Sequence, residues 1–287
     1  MAAAICILTP DPADEGFQTR WRDVLERNAE PLRAAGLEVG GRSWADEGDL
    51  SHFALVLPLL VWGYPRAHDQ WVQTVTRWEE QGVRLQNPAS VLRWNADKRY
   101  LGRLEERGAP VVPTLFADRL TLDTMEEARA RFGSDRLVAK PQVSSTAWQT
   151  IRWSPGKTLD GGPEGAAMVQ PYLPAIEESG EVSLVFFGGR FSHAISKRPK
   201  PGDFRVQPEF DGIIARYDPA PEELAAAERI LGAVEEDLLY ARVDLVRGLS
   251  GAPELIELEL IEPDLYLGYD KARGAAFAQA AKELIAR

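Results

Sequence analysis

Residues 255–265 read Leu255-Ile256-Glu257-Leu258-Glu259-Leu260-Ile261-Glu262-Pro263-Asp264-Leu265. Residues two apart on a strand share a face, so Glu257 and Glu259 project to one side while Leu258 and Leu260 face a core. Carboxylates placed side by side repel unless a cation or base neutralises them. Mg²⁺ answers that need, being hard, octahedral and usually held by a few carboxylates together with nucleotide phosphates. Upstream, the apolar stretch Tyr240–Val246 sets Arg242 and Asp244 on one strand face by the same alternation. Paired with each other, the two strands would gather Asp244, Glu257 and Glu259 around one or two metal ions. A solvated strand face explains a single pair of acids, but it explains poorly three acids on two apolar strands beside an arginine.

Outward from these strands, the next signal is basic. Ser196-Lys197-Arg198-Pro199-Lys200-Pro201-Gly202-Asp203-Phe204-Arg205 puts four cations in a loop that follows a strand. In a chain of net charge −11, such a concentration points to a facing anion. Arginine suits phosphate through its bidentate fork, and lysine as a point charge. Two isolated lysines join the set: Lys140 ends an apolar strand before Pro141, and Lys98 opens a helix after Asn95-Ala96-Asp97. Taken alone, a strand-terminal lysine more often guards a surface than meets a ligand.

The rest of the chain alternates between periods. Ala3–Leu8, Leu37–Val39 and Phe53–Leu60 read as buried strands; Phe17–Ala35 and Asp69–Gln81 read as helices, closed by Gly36 and Gly82. Alternating strands and helices predict a small open parallel sheet over residues 1–90. Helical patterns follow at Asp97–Arg107, Thr124–Phe132, Glu222–Asp237 and Lys271–Ala286. Leu137–Lys140, Met168–Leu173, Val182–Phe187, Arg190–Ile195, Tyr240–Val246 and Glu254–Ile261 read as strands, with Gly188-Gly189 a hairpin turn.

Composition narrows the function classes. A hydrophobic fraction of 45% with 27% charged residues supports a packed core and excludes disorder as a general reading. No apolar run approaches the roughly 18 residues that a membrane span needs. Met1–Pro10 lacks the basic flank of a signal peptide. Cys6, the single cysteine, excludes an intrachain disulfide and fits a reducing cytoplasm. The acidic balance argues against a broad grip on nucleic acid or an anionic membrane. Rival motifs fail: Gly156-Lys157-Thr158 lacks the earlier P-loop glycine, since residue 151 is Ile, and no G-x-G-x-x-G or H-E-x-x-H occurs. His193, within Phe191-Ser192-His193-Ala194, reads as a packed or hydrogen-bonded strand residue.

In order along the chain, these residues resemble the ATP-grasp superfamily and, within it, the bacterial glutathione synthetase-like ligases. The resemblance covers about residues 85–287; the first segment agrees in architecture only. Asn95-Ala96-Asp97-Lys98 looks like the family segment bearing a first nucleotide lysine, and Val138-Ala139-Lys140-Pro141 like the strand bearing a second. Met168-Val169-Gln170-Pro171-Tyr172-Leu173 looks like the hinge whose backbone meets adenine, with the acid Glu181 following Gly180. Gly202-Asp203-Phe204-Arg205 is the closest verbal match, placing Arg205 at a phosphate. Asp244, Glu257 and Glu259 align with Mg²⁺ ligands. Two departures stand out. Glu259 occupies a position where the family usually has Asn, and Gln142-Val143-Ser144-Ser145-Thr146-Ala147 replaces a glycine-rich phosphate lid.

The resemblance implies an α/β chain of ATP-grasp type. Residues 1–90 would form a pre-grasp subdomain, 91–170 a small lobe with the lid, and 171–287 a C-terminal lobe with the metal site, ATP being clamped between the lobes. It implies a cytoplasmic, Mg²⁺-requiring ligase. A substrate carboxylate attacks the γ-phosphorus of ATP, and an amine then displaces phosphate from the acylphosphate. Lys98, Lys140, Gln170, Pro171, Tyr172, Leu173 and Glu181 would hold ATP, and Arg205 and Lys197 would stabilise the transferring charge. Arg242 and Glu262 would face the substrate, Glu262 either meeting an ammonium group or standing farther back as an acid without substrate contact. The substrate class is a small carboxylate or an amino-acid-like compound, and family analogy suggests a homodimer. The segments around Lys197 and Glu262 also resemble a branch that includes the O-ureido-serine cyclo-ligase, which closes a ring within one substrate. A ligase acting on a protein tail and a non-catalytic nucleotide-binding regulator are the other readings.

Overall fold

The computed structural model describes residues 4–14, 16, 20–198 and 212–287. Its first layer is a parallel sheet in the order β2-β1-β3, from β1 (Ala4–Thr9), β2 (Glu38–Ser43) and β3 (Leu55–Leu57). Strand alternation divides β1 between two cores. Ile5 and Ile7 meet Ala29 and Leu32 of α1 (Trp21–Ala34) and Phe277 of α8 (Ala275–Ile285). Cys6 and Leu8 face the other way, into a cluster with Trp44 and with Trp71 and Trp78 of α2 (His68–Glu80). Burial pushes the Cys6 thiol up to about 12, so it is a packed and inert side chain.

Several expected elements change here. β2 is an exposed edge strand and not the buried strand expected over Leu37–Val39; its Gly40, Gly41 and Arg42 are solvent-exposed. The strand expected over Phe53–Leu60 is only Leu55–Leu57, because Pro58 has no N–H to continue a ladder.

The second layer is a four-stranded antiparallel sheet, ordered β4-β7-β5-β6. It contains β4 (Leu115–Ala117), β5 (Leu137–Pro141), β6 (Ile151–Trp153) and β7 (Ala167–Pro171), and α5 (Leu122–Phe132) packs on it. The N-cap Thr121 of α5 accepts a hydrogen bond from Thr124 N at 3.1 Å.

The third layer is a five-stranded antiparallel sheet, ordered β10-β9-β8-β11-β12. Its strands are β8 (Glu181–Phe187), β9 (Arg190–Arg198), β10 (Ile213–Tyr217), β11 (Tyr240–Arg247) and β12 (Pro253–Glu259). Gly188 and Gly189 turn β8 into β9 with φ of 55° and 75°, the backbone a two-residue hairpin requires. α7 (Pro221–Gly232) packs beneath and stops five residues before the expected Asp237. Along the chain, between β3 and β4, come α3 (Ala89–Trp94), which the sequence pattern missed, and α4 (Tyr100–Glu106), which begins after Lys98 rather than before it. Among the described residues no helix is long and apolar enough to cross a membrane.

β12 carries the acids and is an edge strand, yet its free side is closed. Leu255 N donates to Pro110 O at 2.8 Å, and Leu255 O accepts from Val112 N at 3.0 Å. Leu258 N donates to Tyr100 Oη at 2.9 Å, and Asn95 bridges Leu258 O at 2.9 Å and Leu260 N at 3.0 Å. Asn87 completes the closure: its Nδ2 donates to Leu260 O at 2.8 Å and Tyr240 O at 2.9 Å, and its Oδ1 accepts from Leu239 N at 2.8 Å. Asn87→Ala would strand three buried backbone groups at a cost of about 3 kcal/mol or more. The expected outcome is a clear fall in the urea midpoint of unfolding; a midpoint equal to wild type would contradict this account of the clamp.

Candidate active site

A cleft open to solvent at its mouth lies between the second and third layers. Val138 and Lys140 of β5, Gln170 and Pro171 of β7, and Tyr172 and Leu173 beyond it line one side. Lys98, Glu181, Ile256 and Glu257 line the other, with residues of the 144–150 loop above. All seven residues expected to hold a nucleotide therefore border one space.

Local bonds make its walls rigid. Gln170 Nε2 donates to Thr114 Oγ1 at 2.9 Å, and Thr114 in turn donates to Val112 O at 2.8 Å, so this amide is committed within the wall. Tyr172 N donates to Arg136 O at 2.8 Å, and the Arg136 guanidinium stands 3.9 Å from the Tyr172 ring centre. Ile256 reaches the cleft through a bulge. Asp244 faces Glu257, but Leu245 faces Leu255, leaving Ile256 as the extra residue.

The charged side chains form a chain across β8, β9, β11 and β12. Lys197 was expected in a loop, but it lies in β9 with a buried side chain that bonds Glu181 and, at 3.1 Å, Asp244. The run of basic and proline residues after it hides a strand whose partners are acids on β8 and β11. Arg242 Nε and Nη2 donate to Asp244 at 3.0 and 2.9 Å, and Nη2 also reaches Glu259. Ser183 donates to Asp244 at 2.6 Å. Lys98 pairs with Glu257 at 3.3 Å and donates to Ser144 O at 2.6 Å, tying the acid strand to the root of the loop.

Each titration follows from these neighbours. Burial opposes ionisation of Asp244, but Arg242 and then Lys197 outweigh it and hold the carboxyl well below its usual range. Burial likewise opposes the Lys197 ammonium, and Asp244 and Glu181 overcome it, raising its pKa. Glu181 is pushed up to about 7 by burial, with Lys197 working against the rise. Burial, assisted by Asp244 and Glu257, lifts Glu259 to about 8 although Arg242 opposes it. Burial also disfavours the Glu257 carboxylate, yet Lys98 and Lys140 bring its pKa down. Lys140 is lowered to about 8 by burial, more strongly than Glu257 can offset. Among the described residues it forms no ion pair.

Whether these residues suit a metal depends on which oxygens are free. Among the described residues no three His, Cys, Asp or Glu side chains stand together as a metal-holding set. Both oxygens of Asp244 serve Arg242, and Lys197 and Ser183 also bond them. Glu257 and Glu259 are different. They are hard donors on one side of β12, and Arg242 alone does not offset the burial that disfavours the Glu259 carboxylate. A hard divalent cation fits that pair.

The loop over the cleft holds no glycine, but it uses glycine-like backbone. Thr146, Ala147 and Gln149 have φ of 51°, 56° and 50°. Each such residue costs of order 1 kcal/mol, a strain that tends to sit at functional loops. Trp148 between them is 60% exposed.

Arg205 lies outside the described residues. Glu262 sits beyond β12, outside the cleft lining, with one carboxylate oxygen buried and unbonded. Sequence reasoning passed over Ser183, Ile256 and Tyr266. Ser183 had a signal, being two residues from Glu181 on one strand face. Tyr266, whose ring centre lies 5.5 Å from the Arg242 guanidinium and whose φ is 46°, had none. His193 is hydrogen-bonded as expected, its Nε2 lying 2.9 Å from Leu265 O.

Residues 5–87 match the family of the N-terminal domain of D-cycloserine synthetase DcsG. Over 279 residues the chain is 30% identical to the cycloserine biosynthesis protein DcsG of Streptomyces lavendulae, covering 88% of this chain and 91% of that protein. It is 25% identical over 287 residues to glutathione synthetase of Prochlorococcus marinus (strain MIT 9313), covering 92% of this chain and 85% of the relative. A crystal structure of D-cycloserine synthetase DcsG superposes with a TM-score of 0.83 at 27% identity, over 98% of this chain and 100% of the other. D-alanine–D-alanine ligase from Bacillus anthracis complexed with ATP gives 0.69 at 15% identity, over 100% and 98% of the two chains, a likeness of fold.

The environment of Lys140 makes it charged below, and neutral above, a midpoint of about 8. NMR titration of ligand-free protein, assigned by loss of the signal in Lys140→Met, should find that midpoint. A value near the ordinary ~10.4 would contradict the burial argument.

Proposed function

The chain belongs to the DcsG family, within the ATP-grasp superfamily, and from that membership we propose how its cleft binds ATP and activates a carboxylate. The enzyme is an ATP-dependent carboxylate–amine ligase. The observation that carries the residue-level reading is the convergence of Lys98, Lys140, Glu181 and the 170–173 segment on one cleft that ends at Glu257.

In this reading adenine lies against residues 170–173, where Tyr172 and Gln170 are already fixed by Arg136 and Thr114. Lys140, with no carboxylate of its own, and Lys98 meet phosphate oxygens, while Glu181 holds Lys197 in place. Lys197 and, from the sequence, Arg205 neutralise the charge that moves with the γ-phosphoryl group. Arg242 points its less committed Nη1 arm at the substrate carboxylate. Glu257 and Glu259 would hold Mg²⁺, with Asp244 behind them orienting Arg242 and Lys197. The ion supplies charge neutralisation for phosphate oxygens when bound. A carboxylate oxygen of the substrate bonds to the γ-phosphorus as the bond to ADP breaks, and an amine nitrogen then displaces phosphate. Residues 144–150 keep water from the acylphosphate. Positioning and fixed charge account for the rate, without a covalent enzyme intermediate.

The likeness to DcsG along the whole chain favours a finer reading, ring closure within one amino-acid-like substrate such as O-ureido-serine. It also weighs against a protein-tail ligase and a non-catalytic regulator.

The test is ADP formation from MgATP with a panel of amino acids, dipeptides and O-ureido-serine, with magnesium omitted as the control. Magnesium-dependent ADP release with one member is expected, and Glu257→Gln should lower it at least about 100-fold. Wild-type turnover in Glu257→Gln would remove Glu257 from the metal site.

A further inference from the structure

The first layer has two edges, and its own chain closes only one of them. Beside β3 runs the 84–86 segment: Val56 N donates to Arg84 O and Gln86 N to Val56 O, both at 2.9 Å. On the far side of β2 the described residues set no strand. Successive residues of a strand aim their N–H and C=O alternately to its two sides. Trp44 N donates to Thr9 O of β1 at 3.0 Å, so the even-numbered residues of this run face β1, and Val39 and Gly41 turn their groups outward. Val39 O accepts from the exposed Arg33 side chain at 3.3 Å, which agrees with that direction. Val39 N and both backbone groups of Gly41 have no hydrogen bond among the described residues. Glu38, Gly40 and Arg42 share one face of β2. All three are exposed, and the space where a Cβ would stand on Gly40 is empty to 4 Å. Glu38 makes no ion pair among the described residues, while Arg42 Nε donates to Asp46 at 2.9 Å and its side chain stays 41% exposed.

Charges on an edge strand ordinarily keep other strands away. Here their spacing exempts one partner, a second copy of the same strand. We propose that two chains pair their β2 strands antiparallel across a twofold axis at Gly40, joining two three-stranded sheets into one. In that register Val39 lies opposite Gly41 of the partner subunit. Outward groups then face outward groups, and each such pair exchanges N–H···O bonds in both directions. Gly40 meets the partner's Gly40 where no side chain blocks the approach, and Glu38 meets the partner's Arg42 on both sides of the axis. Moving the axis by one residue sets both charges against uncharged residues. Moving it by two sets Glu38 against the partner's Glu38, or Arg42 against the partner's Arg42, which is destabilising. Charge therefore selects the register at Gly40. The contact uses one patch twice, so it closes at a dimer. β2 lies outside the cleft lining, and the pairing stands apart from the ligase chemistry.

The test is sedimentation velocity of the full chain over a range of concentrations, with amide hydrogen exchange read along β2. Wild type should form a reversible dimer, and the Val39 and Gly41 amides should gain protection as it assembles. Glu38→Arg and Arg42→Glu each turn the attractive pairs into repulsive ones, so each should weaken the dimer about tenfold or more. Mixed in equal amounts, the two variants again set opposite charges across the axis, and a mixed dimer of near wild-type strength should return. Circular dichroism checks that each variant is folded. Should Arg42→Glu lose its fold along with its Asp46 bond, Glu38→Arg and the exchange of the Val39 and Gly41 amides decide. A wild-type chain that stays monomeric at its highest soluble concentration overturns the proposal. So does a dimer that Glu38→Arg leaves equally strong, or one whose Val39 and Gly41 amides exchange as fast as in the monomer, since either would use another surface.

Discussion

The guanidinium of Arg242 is the interaction on which the acid end of the cleft depends. The pairing of β11 with β12 sets Arg242 opposite Glu259 and Asp244 opposite Glu257, which brings three carboxylates into a largely enclosed space. Without a fixed cation between them, that packing would force one or more to take up a proton. Arg242 bonds both Asp244 and Glu259, and Lys197 reinforces Asp244 from β9. The compensation is incomplete, as the raised pKa of Glu259 shows. A site short of positive charge at one carboxylate and holding an uncommitted lysine across the cleft is matched to a metal–polyphosphate complex, which brings charge of both signs.

Holding this arrangement in place falls to residues that carry no charge. β12 would be an exposed edge if Asn87, Asn95, Tyr100 and the backbone of 110–112 did not satisfy its outer side. Three of these side chains stand close in sequence to Lys98, so one short segment both clamps the acid strand and presents a cation to it. Buried ion pairs are weak sources of stability. Hydrogen bonds from the asparagines and the apolar packing of Leu255, Leu258 and Leu260 therefore hold the strand on which the acids sit.

How much of this was legible depended on distance along the chain. The alternation in 255–265 and 240–246 is local and apolar, so the paired acid strands could be read directly. The Gly188-Gly189 turn and the buried β1 were equally plain. Lys197 was misplaced because its strand is defined by partners on β8 and β11, while its immediate neighbours are basic residues and prolines. The six residues of α3 are too few to show a period, and the exposed β2 carries Gly40 and Gly41 in place of the apolar run a strand announces. Tyr266 had no signal at all, since it rests on a strained backbone that no residue pattern encodes.

Crystals grown with AMPPNP and Mn²⁺ test the central claim most directly, because manganese replaces magnesium and is located by its anomalous scattering. The account predicts at least one peak about 2.2 Å from carboxylate oxygens of Glu257 and Glu259. The triphosphate should lie between that peak and Lys140. A nucleotide bound elsewhere, or bound in this cleft with its metal away from both glutamates, would contradict it.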